Sequence, residues 1–481
     1  MRHAHSLCIL LATLSGSAIG GPITAQQNQE GGIAGDDRFT PVHGCFGDAH
    51  GNLSGGIFQV PMDDEVLEFL EAMDVANQGA ADNRLDLVFV GDGYTAGEQG
   101  QFHTDVAGVL SSMFAYEPFT SYEPYFRVTE VEVISNESGV DNDPTQGINR
   151  DTALDMLYWC GGTERLLCVN VGKAYTAAAV APDIDQVVAL SNSSKYGGAG
   201  YSSNNLGTSA GQNSAAADIV IHELGHSLGN LADEYTYGGP TTYTGPEFSA
   251  VDLSIYDRTE QLAQNRKWHY WMDTNMSGFD GPTSTFEGGG YSQFGVYRPS
   301  NNSMMRSLGR PFNLVNAEQL LKEIYREVSP IDDGRANGTI QRDEIAWVVP
   351  MQPLDHSMTV SWYLDDVLQD NLAGQLSVDV SSLDLDQDAH ELRVVVVDET
   401  DWVRNEAMRD SFMTASRSFS IPVDLTCGAD INGDGVHDFF DVSAFLSLFG
   451  DGDLAADLNG DGALDFFDVS TFLVSFTVGC P

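Results

Sequence analysis

The sequence predicts an α/β layered domain, then a small β-sandwich, then an α-helical module built on a duplicated acidic loop. Three observations predict it. Strand-like and helix-like runs alternate as far as about residue 330. Short strands between turns fill the stretch from there to 425. Residues 429–446 and 456–473 match at 14 of 18 positions, a repeat of period 27. The 481 residues suit about three domains, and 42% hydrophobic against 19% charged residues argues for packed cores.

Arg2, His3 and His5 make a polar start, residues 7–19 are apolar, and Ala25 ends a run of small residues. This is the pattern of an export signal over 1–25, too short to span a membrane, and no later segment approaches membrane length. The mature chain is therefore expected to be secreted or at the cell surface. Its formal charge of −48 repels nucleic-acid phosphates and anionic lipids and suits divalent cations, so neither nucleic acid nor membrane is an expected partner. Cys8 leaves with the signal. In an oxidising compartment Cys160 pairs with Cys168 and Cys427 with Cys480, which leaves Cys45 over.

Residues 26–80, Gly- and Asp-rich with one strand-like stretch (57–60) and one acidic helix-like stretch (64–74), read as an N-terminal extension of the next domain. In 81–330 a buried strand over 85–90 ends in the turn Gly91-Asp92-Gly93-Tyr94. A helix follows with Phe102, Val106, Val109 and Met113 at helical spacing, and then strands over 126–135 and 166–171. In 331–425 the expected strands are 345–349, 358–363, 375–380, 391–397 and 417–423, with Trp347 and Trp362 anchoring a core between two sheets.

His222-Glu223-Leu224-Gly225-His226 follows an apolar helical run. Two His residues four apart project from one helix face, so both imidazoles can reach one ion. Glu223 is rotated about 100° from His222, placed to handle a proton as general base and not to ligate. Asp233 is the expected third ligand, brought back by a turn at Gly229, with Glu234 as the alternative. Tyr235, His269 and Tyr291 are candidate transition-state donors.

His222 through Tyr235, together with Gly91-Asp92-Gly93-Tyr94-Thr95 and residues 135–141, resembles the IgA-peptidase family of bacterial zinc metalloendopeptidases. The resemblance spans roughly 80–330. It implies a zincin-type, metzincin-like fold, zinc on His222 and His226, Glu223 as catalytic base, and a protein or peptide substrate, though not immunoglobulin in particular. Metzincins place the third ligand six residues after the second His, which is Ala232 here, so this sequence departs from that pattern by one residue. Residues 301–306, with Met304 and Met305, look like the methionine turn beneath the metal in such enzymes, a floor and not a ligand.

In the repeat, Asp430, Asn432, Asp434, Val436, Asp438 and Asp441 fall at positions 1, 3, 5, 7, 9 and 12 of a calcium loop. Asp457, Asn459, Asp461, Ala463, Asp465 and Asp468 repeat the set. Each loop precedes an amphipathic helical stretch. The 427–481 segment resembles a dockerin-type module, which implies two structural Ca2+ ions and a cohesin-like docking partner. A secreted zinc endopeptidase is the leading reading. A non-catalytic adhesion or scaffold protein with a degenerate site is the first rival, and the intact Glu223 speaks against it. A carbohydrate-active enzyme is the second, and no paired-carboxylate motif announces one.

Overall fold

The computed structural model describes residues 83–237, 239–386, 388–422, 429–432 and 436–478, and the backbone alone of 39–47 and 53–61. The chain divides into two compact units. One holds the residues up to Val328 with 353–355 and 401–405, and the other holds the remainder.

In the first unit, strands β1 (Phe39–Gly47), β2 (Leu53–Pro61) and β3 (Leu85–Asp92) precede helix α1 (Gln99–Met113) and β4 (Phe126–Val131). Helix α2 (Val171–Ala178), β5 (Gln186–Ser191), β6 (Gly198–Tyr201), β7 (Leu206–Ala210) and helix α3 (Ala216–Ser227) follow. The seven strands form one sheet in the order β2-β1-β6-β7-β5-β3-β4. β4, β3, β5 and β7 run parallel, β6 is antiparallel to β7, and β1 is antiparallel to both β6 and β2. Every residue of β3 and β5 is buried, as expected of parallel strands covered on both faces. Val88, Val90, Val187 and Ala189 share a core with α2, while α3 lies against β6 and β7.

Two strand expectations change. β4 stops at Val131, short of residue 135. Residues 166–171 form no strand, because Leu166 and Cys168 make isolated bridges only and Asn170 already caps α2 by accepting from the Lys173 N–H at 3.1 Å. The disulfide between Cys160 and Cys168 closes this loop. Cys427, Cys480 and the side chain of Cys45 lie outside the described residues.

The first unit continues with α4 (Arg258–Gln264), the hairpin β8 (Phe286–Gly289) and β9 (Ser292–Arg298), and α5 (Leu314–Glu327). In the second unit, β10 (Ile331–Gly334), β12 (Ile345–Pro350) and β15 (Ser377–Asp379) form one sheet. A second sheet holds β11 (Gly338–Thr339), β13 (Thr359–Leu364), β14 (Val367–Leu368), β16 (His390–Val397) and β17 (Thr414–Ile421). Side chains from both sheets enclose Trp362. Trp347 does not join it. Alternation along β12 turns Ala346 and Val348 inward and leaves Trp347 37% exposed. After the short helix α6 (Glu406–Phe412), the unit ends in α7 (Phe439–Asp451) and α8 (Phe466–Val478). These two helices meet at Phe445 and Phe472, equivalent residues of the repeat, stacked 4.3 Å apart. Among the described residues, no helix is long and apolar enough to cross a membrane.

Candidate metal centre

Helix α3 is buried on almost every side, so His222, Glu223 and His226 all lie away from solvent. Small residues make this placement sterically feasible. A Cβ at Gly198 would come within 2.4 Å of Ile219, and one at Gly200 within 2.5 Å of the Glu223 carboxylate, so β6 and the helix approach closely only because both are glycine. A Cβ at Gly225 would lie 2.4 Å from Met305 Sδ, which packs beneath the helix.

The chain leaves α3 at Leu228 and doubles back. The left-handed residue is Asn230 (φ 51°), not Gly229. Gly229 serves close packing instead, since a Cβ there would meet the Gly225 carbonyl at 2.7 Å. The Leu231 N–H donates to the Gly225 carbonyl at 2.9 Å, and the reversal sets Asp233 beside the two imidazoles.

The three donor atoms form a nearly equilateral triangle. His222 Nε2 and His226 Nε2 are 3.1 Å apart, and Asp233 Oδ1 lies 3.3 and 3.2 Å from them. Tetrahedral ligands at zinc distances of about 2.0–2.1 Å stand about 3.3–3.4 Å from one another, so the triangle fits such an ion closely. Among the described residues, these are the one group of three or more His, Cys, Asp or Glu side chains whose ligand atoms lie within 4.8 Å.

The far side of each ligand is also held. The Met304 carbonyl lies 3.0 Å from His222 Nδ1 and the Leu231 carbonyl 2.7 Å from His226 Nδ1, which turns both Nε2 atoms toward the centre. The Tyr291 hydroxyl donates to Asp233 Oδ2 at 2.5 Å. Tyr291 reaches it from the tip of the β8–β9 hairpin, where Gly290 and Tyr291 both have positive φ and the Gly290 N–H donates to the Asp233 carbonyl at 2.8 Å. Burial works against a charged His222, but the Asp233 hydrogen bond and the charges of Glu223 and Asp233 outweigh it and raise its pKa.

Glu234 is set apart from this triangle. Its Oε2 accepts from Ser303 Oγ at 2.7 Å, and its Oε1 from Asn313 Nδ2 and Asn316 Nδ2 at 2.9 and 3.2 Å. Its own N–H donates to the Met305 carbonyl at 2.9 Å. On the other side of Asp233, the Ala232 N–H donates to Asp252 Oδ1 at 3.0 Å. Asp233 is thus clamped by both neighbours. Burial pushes the carboxyl pKa of both Glu234 and Asp252 up, and the charge of Glu234 raises Asp252 further. Sequence reasoning missed this clamp. Asn313 carried a signal as the cap of α5, but nothing local tied it to residue 234.

Tyr235 packs on Tyr291 with ring centroids 5.5 Å apart, and His269 begins the turn His269–Trp271 with its ring against Tyr270.

Residues 73–284 match the family model of IgA Peptidase M64. The match includes the whole 222–233 segment and stops short of Tyr291 and Met304. It supports a peptidase of a zinc-dependent family. No curated protein matches the chain.

The acidic loops are arranged differently. In the second, Asp457 accepts from the Gly460 and Gly462 N–H groups, Asn459 from Asp461, and Asp461 from Ala463, at 2.8–2.9 Å. Asp468 closes the loop by accepting from the Leu458, Asn459 and Asp465 N–H groups. In the first loop Asp441 accepts from the N–H groups of Asn432 and Asp438, and Asp438 from that of Phe440. Asp430, Asn432 and Val436 are described, whereas Asp434 lies outside the described residues. Backbone N–H groups, chiefly those of Asp438 and Asp465, hold the Asp441 and Asp468 carboxyls below their usual range.

Proposed function

We propose that the chain is an exported zinc-dependent endopeptidase in which His222, His226 and Asp233 hold the metal and Glu223 is the general base. The spacing of the three donor atoms in a buried site carries this reading, within a region that matches a zinc-dependent peptidase family. Three protein ligands are the donor set of catalytic zinc, whereas structural sites are closed by four. Bound there, zinc would supply Lewis acidity toward a scissile carbonyl and lower the pKa of a water to about 7.

Each side chain then has a task. Glu223, one residue from His222 and lodged against Gly200, takes the proton of the attacking water and delivers it to the leaving amine. Tyr291 donates its hydroxyl proton to Asp233 Oδ2 and so fixes that carboxylate with Oδ1 facing the imidazoles. Met304 and Met305 form an apolar floor.

The two sheets of the second unit we read as a β-sandwich. The 427–481 segment we read as a dockerin-like module with calcium on Asp430, Asn432, Asp434, Val436, Asp438 and Asp441 and on Asp457, Asn459, Asp461, Ala463, Asp465 and Asp468. The helix-stacked repeat and its closed Asp468 loop support this, and a cohesin-like protein is the docking partner it suggests. Phenanthroline should abolish cleavage of casein and added zinc should restore it. Cleavage indifferent to the chelator contradicts the proposal.

A further inference from the structure

The sheet edge beside the metal centre is occupied by the chain's own N-terminal strand. β6 lies against α3, with Gly200 facing the Glu223 carboxylate. β7 takes one edge of β6. An extended peptide paired to the other edge would run past that carboxylate, and main-chain pairing to a strand edge is a general way of capturing extended peptides. β1 already sits there, antiparallel, with His43 opposite Gly200. The register of β1 on β6 is set by this pair, and β1 pairs with β2 at nine positions, from Phe39 with Pro61 to Gly47 with Leu53. The β1–β2 hairpin thus forms the outer edge of the sheet, and residues 62–82 connect it along the chain to β3.

We infer that the strand Phe39–Gly47 occupies the substrate-binding edge of β6 and keeps the enzyme latent until the hairpin is displaced or cut away. The inference rests on the peptidase reading. A tethered strand competes at an effective concentration on the order of mM, so peptide substrates in the micromolar range are held off until it leaves. Its departure leaves the β4-β3-β5-β7 ladders, which do not involve it, in place.

The test is a full-length His43→Pro/Gly44→Pro variant compared with the parent chain. Successive residues of a strand direct their N–H groups to opposite edges, so the pair removes one donor toward β6 and one toward β2. Hydrogen exchange at residues 198–201 should quicken, and kcat/KM on a quenched peptide library should rise about tenfold or more as the tethered competitor is lost. A synthetic peptide of residues 39–47 should then inhibit the variant. Faster exchange with unchanged or lower hydrolysis overturns the inference, as does unchanged exchange at 198–201 when 53–61 exchange freely. If neither protein hydrolyses any peptide when loaded with zinc, the peptidase reading falls. The occupancy is still decided, since labelled 39–47 peptide must bind the variant and not the parent. Should the double variant fail to fold, a foreign protease site placed at 75–80 and cut after folding makes the same comparison.

Discussion

The metal triangle and the C-terminal acidic loops hold carboxylates in opposite ways. Asp233 is buried, and groups distant in sequence, Asp252, Tyr291 and Met305, fix its neighbourhood. Asn459, Asp461 and Asp465 are exposed, and the carboxylates of Asp457, Asp461 and Asp465 accept bonds from backbone within a few residues. The first arrangement is imposed by a large core. The second belongs to a segment whose buried apolar side chains, among the described residues, are Ala429, Phe445, Ala456 and Phe472. A cation should therefore bind a site the fold has already built in the first case, and should contribute to folding itself in the second.

The largest effect expected from this contrast is catalytic. Glu223→Ala should lower kcat/KM by about 10²–10⁴-fold, because the general base is lost while the ligands remain. Zinc content should stay at the parent level. Loss of zinc along with activity would mean that Glu223 shapes the triangle itself. Next in size is calcium withdrawal, which should melt the helices of 439–478 in circular dichroism and leave peptide hydrolysis in place. An unchanged spectrum would erase the difference between the two regions.

A smaller effect is expected from the clamp. Glu234→Gln and Asp252→Asn should each weaken zinc by about 10–100-fold in chelator competition, as substitutions behind metal ligands commonly do. Affinity unchanged in both would show that Asp233 needs no bracing. The smallest concerns stability away from both sites. Burial, followed by the charges of Glu327, Asp183 and Asp86, raises the Asp185 pKa to about 7 although the Asp86 N–H opposes it. A raised carboxyl favours the folded state at acidic pH, and that contribution is lost as pH rises from the unfolded value through about 7. Asp185→Asn keeps an acceptor for Asp86 N–H. It should raise Tm by about 2–4 °C at pH 8, for about 1 kcal/mol in a domain of this size, and leave it unchanged near pH 4. An equal gain at both pH values would contradict the titration.

Local features were legible in the sequence and long-range ones were not. The strand at 85–90 and the apolar spacing from Phe102 to Met113 could be read because each is a periodic run whose burial follows from its neighbours. The helix bearing His222 and His226 was legible for the same reason. Residues 166–171 misled because an apolar run of that length also suits a disulfide-closed loop leading into a capped helix. Trp347 misled because size argued for the core, while pleat parity placed it outside. The turn at Asn230 could not be assigned over Gly229 without knowing that glycine 229 was needed for close packing. The Glu234–Asn313–Asn316–Ser303 network joins residues up to 82 apart, which no periodicity encodes.

The most direct measurement is the metal content of purified, folded protein for the parent chain, Asp233→Ala and Glu234→Ala. The triangle predicts one zinc per parent chain and none in Asp233→Ala, with Glu234→Ala retaining a weakened site. Full zinc in Asp233→Ala, or loss confined to Glu234→Ala, would contradict the claim that Asp233 completes the centre with His222 and His226.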